Sequence, residues 1–420
     1  MRRYMLFIAC SFLLLAGCGS QQSSDSNGDP DTTSIKYKEF KKYETDSAVI
    51  VANNQFGFDA YQRLESEEED KNIFISPLSI QQALAMTYNG AAGETKQEMA
   101  KALKWTDVKL ESLNESNAAL LYQLTNADPS VQLSIANSIW KDEGEPFKQP
   151  FLDTNKQYYQ AKVETLDFDS DEASETMNDW VKENTNGKIK KIVPSQINPL
   201  TVMFLINAIH FKGDWQTKFQ ENKTSTNTFH LADGSTKQHP FMNQEGDYAY
   251  TKMNDMQMIR LPYGEEGRFG MVVLLPDKNH SLTELFNSIS AENVGKWTDA
   301  LSEQKGKISI PRFTFEYEKK LNNLLQNMGM EQAFDERANF ENLAPVPPDL
   351  YISNVKHKSF IEVNEKGTEA AAATSVEATA ESAPSYDFTM NVDRPFMFMI
   401  QDQKTETVLF LGSVQEPKEE

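Results

Sequence analysis

Few residues of this chain are spaced for catalysis. The five histidines, His210, His230, His239, His280 and His357, are scattered without the spacing of a metal site. No G-x-S-x-G, H-E-x-x-H or G-x-x-x-x-G-K-[ST] sequence occurs, which removes the nucleophile elbow, the zinc-protease helix and the phosphate-binding loop. Ser302-Glu303-Gln304-Lys305 has the S-x-x-K spacing of a serine acylation site. No K-T-G follows it, and the S-x-N candidate Ser112-Leu113-Asn114 comes before it. The expectation is therefore a protein that is not an enzyme and needs no cofactor or metal.

The unusual stretch runs from Gly367 to Ala383. Taken in twos, Thr368, Ala370, Ala372, Thr374, Val376, Ala378 and Ala380 are small and mostly apolar, whereas the alternate set, Glu369 to Glu381, holds every charge. Side chains alternate between the faces of a strand, so this spacing offers one set to a core and the other to water. The stretch nevertheless starts at a glycine and ends in Ser382-Ala383-Pro384-Ser385, the composition of an exposed loop. Alanine and glutamate also favour helix, so a short helix or Ala-rich linker is the competing reading. Thr374, Ser375, Val376 and Thr379 oppose it, because β-branched and hydroxyl side chains lose freedom or compete for backbone bonds in a helix. A segment suited to both strand and loop suggests a conformational switch.

The elements that position this stretch follow from patterning. Arg2 and Arg3 precede a short apolar run, Tyr4 to Ala16, that ends in Leu15-Ala16-Gly17-Cys18. Residues 1–17 read as a targeting segment. Residues 18–45 after it are polar and read as a disordered tether. Cys10 and Cys18 are the only cysteines, so residues 46–417 form a single domain held by its core, without disulfides. A net charge of −21 argues against nucleic acid and against anionic lipid as partners.

Ala52, Phe56, Ala60 and Leu64 predict an amphipathic helix, Ser79–Asn89 a buried helix capped by Ser79, and Glu94–Leu103 a third. The acidic run Glu65–Asp70 reads as a solvated helix end. Strands are expected at 131–140, 202–211, 268–275, 307–316, 351–363, 396–401 and 408–414. Helices early and strands late give an α+β class. Trp105 and Trp297 read as packing.

Asn72-Ile73-Phe74-Ile75-Ser76-Pro77-Leu78-Ser79-Ile80 with Gly90-Ala91-Ala92-Gly93-Glu94-Thr95 resembles the start of a serpin. Asn207-Ala208-Ile209-His210-Phe211-Lys212-Gly213-Asp214-Trp215, Pro311-Arg312-Phe313 and the hinge-like Glu365-Lys366-Gly367-Thr368-Glu369-Ala370-Ala371-Ala372-Ala373 continue the likeness. So do Asp393-Arg394-Pro395-Phe396 and Leu409-Phe410-Leu411-Gly412. Colinear motifs from about Ala48 to Pro417 identify the chain as a member of that family. Leu15–Cys18 resembles the bacterial lipoprotein box, which implies lipidation of Cys18 and an extracytoplasmic, envelope-attached or secreted protein whose only membrane contact is that lipid.

The resemblance implies about nine helices around three mixed sheets, with an exposed reactive-centre loop at about residues 365–390. It implies a monomeric suicide substrate of serine proteases that inserts its cut loop into the largest sheet, the switching mechanism known for serpins. Family spacing places the reactive bond at Glu381–Ser382, which points to Glu-accepting, elastase-like or subtilisin-like enzymes as partners, with cysteine proteases as a further class. Cleavage one residue earlier, after Ala380, is the alternative register. Glu365, Gly367, Thr368 and Ala370, Ala371, Ala372 and Ala373 match the loop hinge. Ser76, Ser79, Asn207, His357 and Trp215 match the sheet-opening cluster. The alternative is a non-inhibitory binding or chaperone-like protein on the same fold. A strand from Thr368 to Glu381 spans about 45 Å. The roughly nine residues from Ser382 to Met390 reach back only about 30 Å, so full insertion needs a cut or the loss of the following strand.

Overall fold

A computed structural model of the chain describes residues 37–253, 255–345, 350–368 and 385–419. Cys18, Glu369, Ala370–Ala373, Glu381 and Ser382 lie outside the described residues, as does the tether up to residue 36.

In chain order the elements are α1 (Ser47–Glu67), β1 (Ile73–Ile75), α2 (Pro77–Tyr88), α3 (Gly93–Ala102), α4 (Leu110–Thr125), β2 (Val131–Asp142), α5 (Gln149–Tyr159), β3 (Lys162–Leu166), α6 (Asp171–Asn184) and β4 (Met203–Asp214). Then follow β5 (Ser225–His230), β6 (Thr236–Lys252), β7 (Met256–Tyr263), β8 (Phe269–Pro276), α7 (Leu282–Ser288), α8 (Ala291–Asp299), β9 (Ser302–Pro311), β10 (Phe313–Lys320) and α9 (Asn322–Asn327). The chain closes with β11 (Lys356–Asn364), β12 (Gly367–Thr368), β13 (Phe388–Asn391), β14 (Phe396–Asp402) and β15 (Val408–Val414). Nine α-helices are thus present among the described residues, and the architecture is α+β.

One sheet has the order β10-β11-β12-β4-β2-β3. The other runs β1-β15-β14-β8-β7-β6-β9-β13, with β5 on β6. Of the three implied sheets, two share this continuous ladder. The 17-residue β6 joins them, pairing with β9 and β5 along much of its length and with β7 at its end. Between the sheets lies an aromatic core, in which Phe74 stacks on Phe410 at 5.0 Å and Phe211 packs edge-on to Phe269.

Local chemistry explains most elements. Asp46 caps α1 by accepting from the Ala48 N–H, and Ala52, Phe56, Ala60 and Leu64 form its buried face. Helix α2 is buried nearly all round, its polar Ser79, Gln81, Gln82 and Thr87 included. Its cap is Ser76, not Ser79: Ser76 accepts from the Ser79 N–H while Pro77 opens the first turn.

Three other expectations are corrected. The strand at 307–316 divides at Arg312, because β9 pairs with β6 in one sheet and β10 with β11 in the other. The strand at 351–363 starts only at Lys356, since Asn322 at the start of α9 bonds the backbone of Ser353 and Val355. In the acidic run, Glu65 is buried rather than solvated, bonded to Tyr61 and Ser413.

Candidate functional site: the hinge and the seam of the six-stranded sheet

The two-residue strand β12 lies between β11 and β4 and is antiparallel to both. Thr368 faces Val363 and Gly213, and Gly367 faces Asn364 and Asp214. It is the only link between β11 and β4 among the described pairings. Gly367 is required there for two reasons. Its φ of 150° is one that side chains rarely adopt, and an added Cβ would fall 2.1 Å from the Gly213 carbonyl oxygen. Thr368 points inward, 3% exposed, and its hydroxyl meets the buried Tyr263 hydroxyl at 2.7 Å. Just beneath lies a narrow cavity of about 10 Å³, lined by Ile209 and Phe211 of β4, Phe360 and Ile361 of β11, and Thr368 itself.

Trp215, just past β4, holds the entry of this seam. Its indole N–H donates to the Asn364 carbonyl and its backbone N–H to the Lys366 carbonyl, both at 2.8 Å. Its ring stacks on Tyr263 at 4.5 Å. Glu365 is buried beside it and accepts from Arg312 Nε at 2.8 Å and from the Thr224 hydroxyl. Burial works against its charge, but the hydrogen bonds from Arg312 and Thr224 prevail and hold the carboxyl below its ordinary range.

Midway down the seam is the second cluster. His357 on β11 accepts through Nε2 from the Ser76 backbone N–H at 3.2 Å. The Ser79 hydroxyl donates to Asn207 Oδ1 on β4, and Asn207 Nδ2 donates to Asn137 Oδ1 of β2 at 2.7 Å and to Gln82 Oε1 at 3.3 Å. Burial pushes the His357 imidazole down to about 4, so it is neutral at ordinary pH. With Nε2 accepting, its proton sits on Nδ1.

The sequence-derived residues therefore fall into two groups. Glu365, Gly367, Thr368 and Trp215 meet at the top of the seam, and Ser76, Ser79, Asn207 and His357 meet at its centre. Within the sheet-opening set, Trp215 lies beside Glu365 at the hinge, apart from the central cluster. Tyr263, Thr224, Gln82 and Asn137 escaped the sequence reading. Asn137 had a signal, as the one polar member of the inward series Val131, Leu133, Ile135 and Ile139. Gln82 did too, three residues after Ser79 on the same helix face. Tyr263 and Thr224 had none.

The family model described as Serpin (serine protease inhibitor) matches residues 51–417. An uncharacterised serpin-like protein of Thermococcus kodakarensis is 34% identical over the whole of both chains. Human antithrombin-III is 34% identical over 87% of this chain and 81% of its own. The crystal structure of the thermophilic serpin tengpin in its native state superposes with a TM-score of 0.81, at 35% identity, covering 89% of this chain and 95% of that one.

Proposed function

The chain belongs to the serpin family, and we propose that it is an extracytoplasmic, lipid-tethered suicide-substrate inhibitor of serine proteases. A target enzyme attacks the Glu381–Ser382 bond and forms an acyl-enzyme. The freed arm then enters the seam between β11 and β4 and carries the enzyme away. Cys18 carries the lipid after removal of residues 1–17.

One observation carries this reading: β12 already occupies the top of the seam with its inward residue buried. Continued in the same register, each residue further along the arm meets one residue earlier on β11 and on β4. Six places beyond Thr368, Thr374 then comes opposite His357 on one side and Asn207 on the other. The inward set of small side chains follows Thr368, and the charged set faces out. The hydroxyl of Thr374 thus arrives where the polar cluster can bond it, while Ala370 and Ala372 fit the narrow space above.

The return strand supports the need for a cut. Strand β13 is held against β9, and the Phe388 ring lies over Gly306 and stacks on Tyr250 at 3.7 Å. With Phe388 fixed, the six residues Ser382–Asp387 reach about 20 Å at most, far short of an inserted arm.

The test is to mix the protein with a Glu-accepting serine protease, an elastase-like enzyme and a subtilisin-like enzyme. An SDS-resistant complex is expected with at least one, together with a released fragment beginning at Ser382. The Thr368→Arg variant should be cut at the same bond without forming the complex, because a charge on the inward face stalls insertion. Cleavage of the unaltered protein with no complex under any of these enzymes points instead to a binding protein on the same fold.

A further inference from the structure

The cluster at the seam does not end at the sheet. Asn137 uses its Oδ1 for Asn207 and its Nδ2 for the Tyr159 carbonyl at 3.0 Å. Tyr159 closes α5, and its hydroxyl donates to Asn114 Oδ1 on α4 at 2.8 Å. Asn114 exchanges two amide hydrogen bonds with Asn89, at 2.9 and 3.1 Å. Asn89 is the C-cap of α2, the helix whose N-cap is Ser76.

The bonds therefore form a closed circuit. It leaves the seam at Asn207, passes through β2, α5 and α4, and returns along α2 to Ser76 and His357. Tyr159 and Asn155 are fully buried, and Asn114 and Asn137 nearly so. Burying this many amides is costly unless every one is bonded, and chains of such bonds reinforce one another. The circuit has one loose end, the Gln82 Nε2, which is buried without a hydrogen-bond partner.

We propose that Tyr159 and Asn114 are positioning residues for sheet opening, acting through this circuit to hold Asn207 and the first turn of α2 in the closed arrangement. This rests on the insertion reading above. Opening the seam separates β4 from β11 and disturbs the Asn207 and Ser79 contacts. A circuit that fixes Asn137 and both ends of α2 resists that disturbance. Tyr159 is the critical node, because its carbonyl and its hydroxyl join the strand branch to the helix branch. Removing the hydroxyl leaves the ring packing but breaks the 2.8 Å link to Asn114, leaving the longer 3.4 Å bonds that Asn155 of α5 makes with the Asn89 side chain and the Met86 carbonyl. Asn137 and Asn207 then relax at lower cost, and the seam opens faster.

The test uses the intact, uncut protein and a synthetic peptide with the sequence of residues 368–381. Uptake of the peptide is followed on native gels and by the rise in thermal stability of the product. Tyr159→Phe and Asn114→Ala are each expected to speed uptake threefold or more. In the Asn207→Ala background, where the circuit is already broken, neither should add to the rate. Leu124→Ala, on α4 but outside the circuit, controls for simple destabilisation and should not show this dependence on Asn207. Variants that match the unaltered protein, or effects that persist undiminished beside Asn207→Ala, overturn the proposal. If the unaltered protein takes up no peptide and also forms no complex with any protease, the insertion reading fails instead.

Discussion

Two buried titratable residues, His357 at the seam and Glu65 near the end of α1 against Ser413, pull in opposite directions. His357 is neutral because burial holds it down at about 4. The unfolded chain takes up a proton on this histidine below its ordinary value near 6.5, and the folded one does not. Its contribution to stability is therefore full above pH 6.5 and is lost as pH falls toward 4, by about 2 kcal/mol at pH 5. Glu65 is the reverse case. Burial raises it to about 7, despite bonds from Ser413 and Tyr61, and its Oε2 has no partner. Its folded form keeps a proton that the unfolded chain releases above about 4.5, so it adds stability as pH falls from 7 to 5, again about 2 kcal/mol. The two nearly offset each other. Denaturant titrations at pH 7 and pH 5 should separate them. Relative to the unaltered protein, His357→Gln gains stability on acidification and Glu65→Gln loses it. Parallel slopes for the two variants would contradict the assignment.

At the scale of elements, the decisive piece is the shortest one. Strand β12 contributes two residues, yet it fills the gap between β11 and β4 and sets the register for everything that follows. Its position depends on Gly367, whose missing side chain lets the backbone pass against Gly213 and Asp214. Gly367→Ala should expel β12 from the sheet, at a cost of roughly 1–3 kcal/mol. A lowered denaturant midpoint and new trypsin cleavage after Lys366 would report this. A variant with both unchanged would mean that the backbone tolerates the Cβ by a shift elsewhere. The neighbouring ion pair of Arg312 with buried Glu365 anchors the chain just before β12.

For the whole molecule, the described residues of the six-stranded sheet show no pairing between β11 and β4 other than through β12. Between those two strands lie the narrow cavity and, further along, the polar cluster of Ser76, Ser79, Asn207 and His357. On the proposed insertion of the cut arm, a long strand in that place would bury the inward set and add a ladder to β11 and β4. Unfolding entropy of about 2 cal/mol/K per residue means that each kcal/mol gained raises the Tm by roughly 1 °C in a domain of this size. Cutting the loop with a non-target protease is expected to raise the Tm by about 10 °C or more, measured calorimetrically on the nicked protein. A nicked protein that melts with the intact one has not gained a strand.

The sequence alone determined the class of fold, and, among the described residues, three of the nine helices and five of the fifteen strands within a few residues. These are local properties: periodicity, caps, glycine and the order of motifs. It misassigned the cap of α2 and merged β9 with β10, because capping depends on where the chain enters a helix and a sheet change leaves the alternation unbroken. Only the tertiary structure decided that Glu365 is bound by Arg312 and Thr224, that Tyr263 receives Thr368, that Glu65 is buried, and that the asparagines of three helices and two strands form one circuit with the seam. Such contacts join residues tens to hundreds of positions apart. Polar partners at that range leave no period in the sequence, since burial and pairing are set by how the sheets and helices pack.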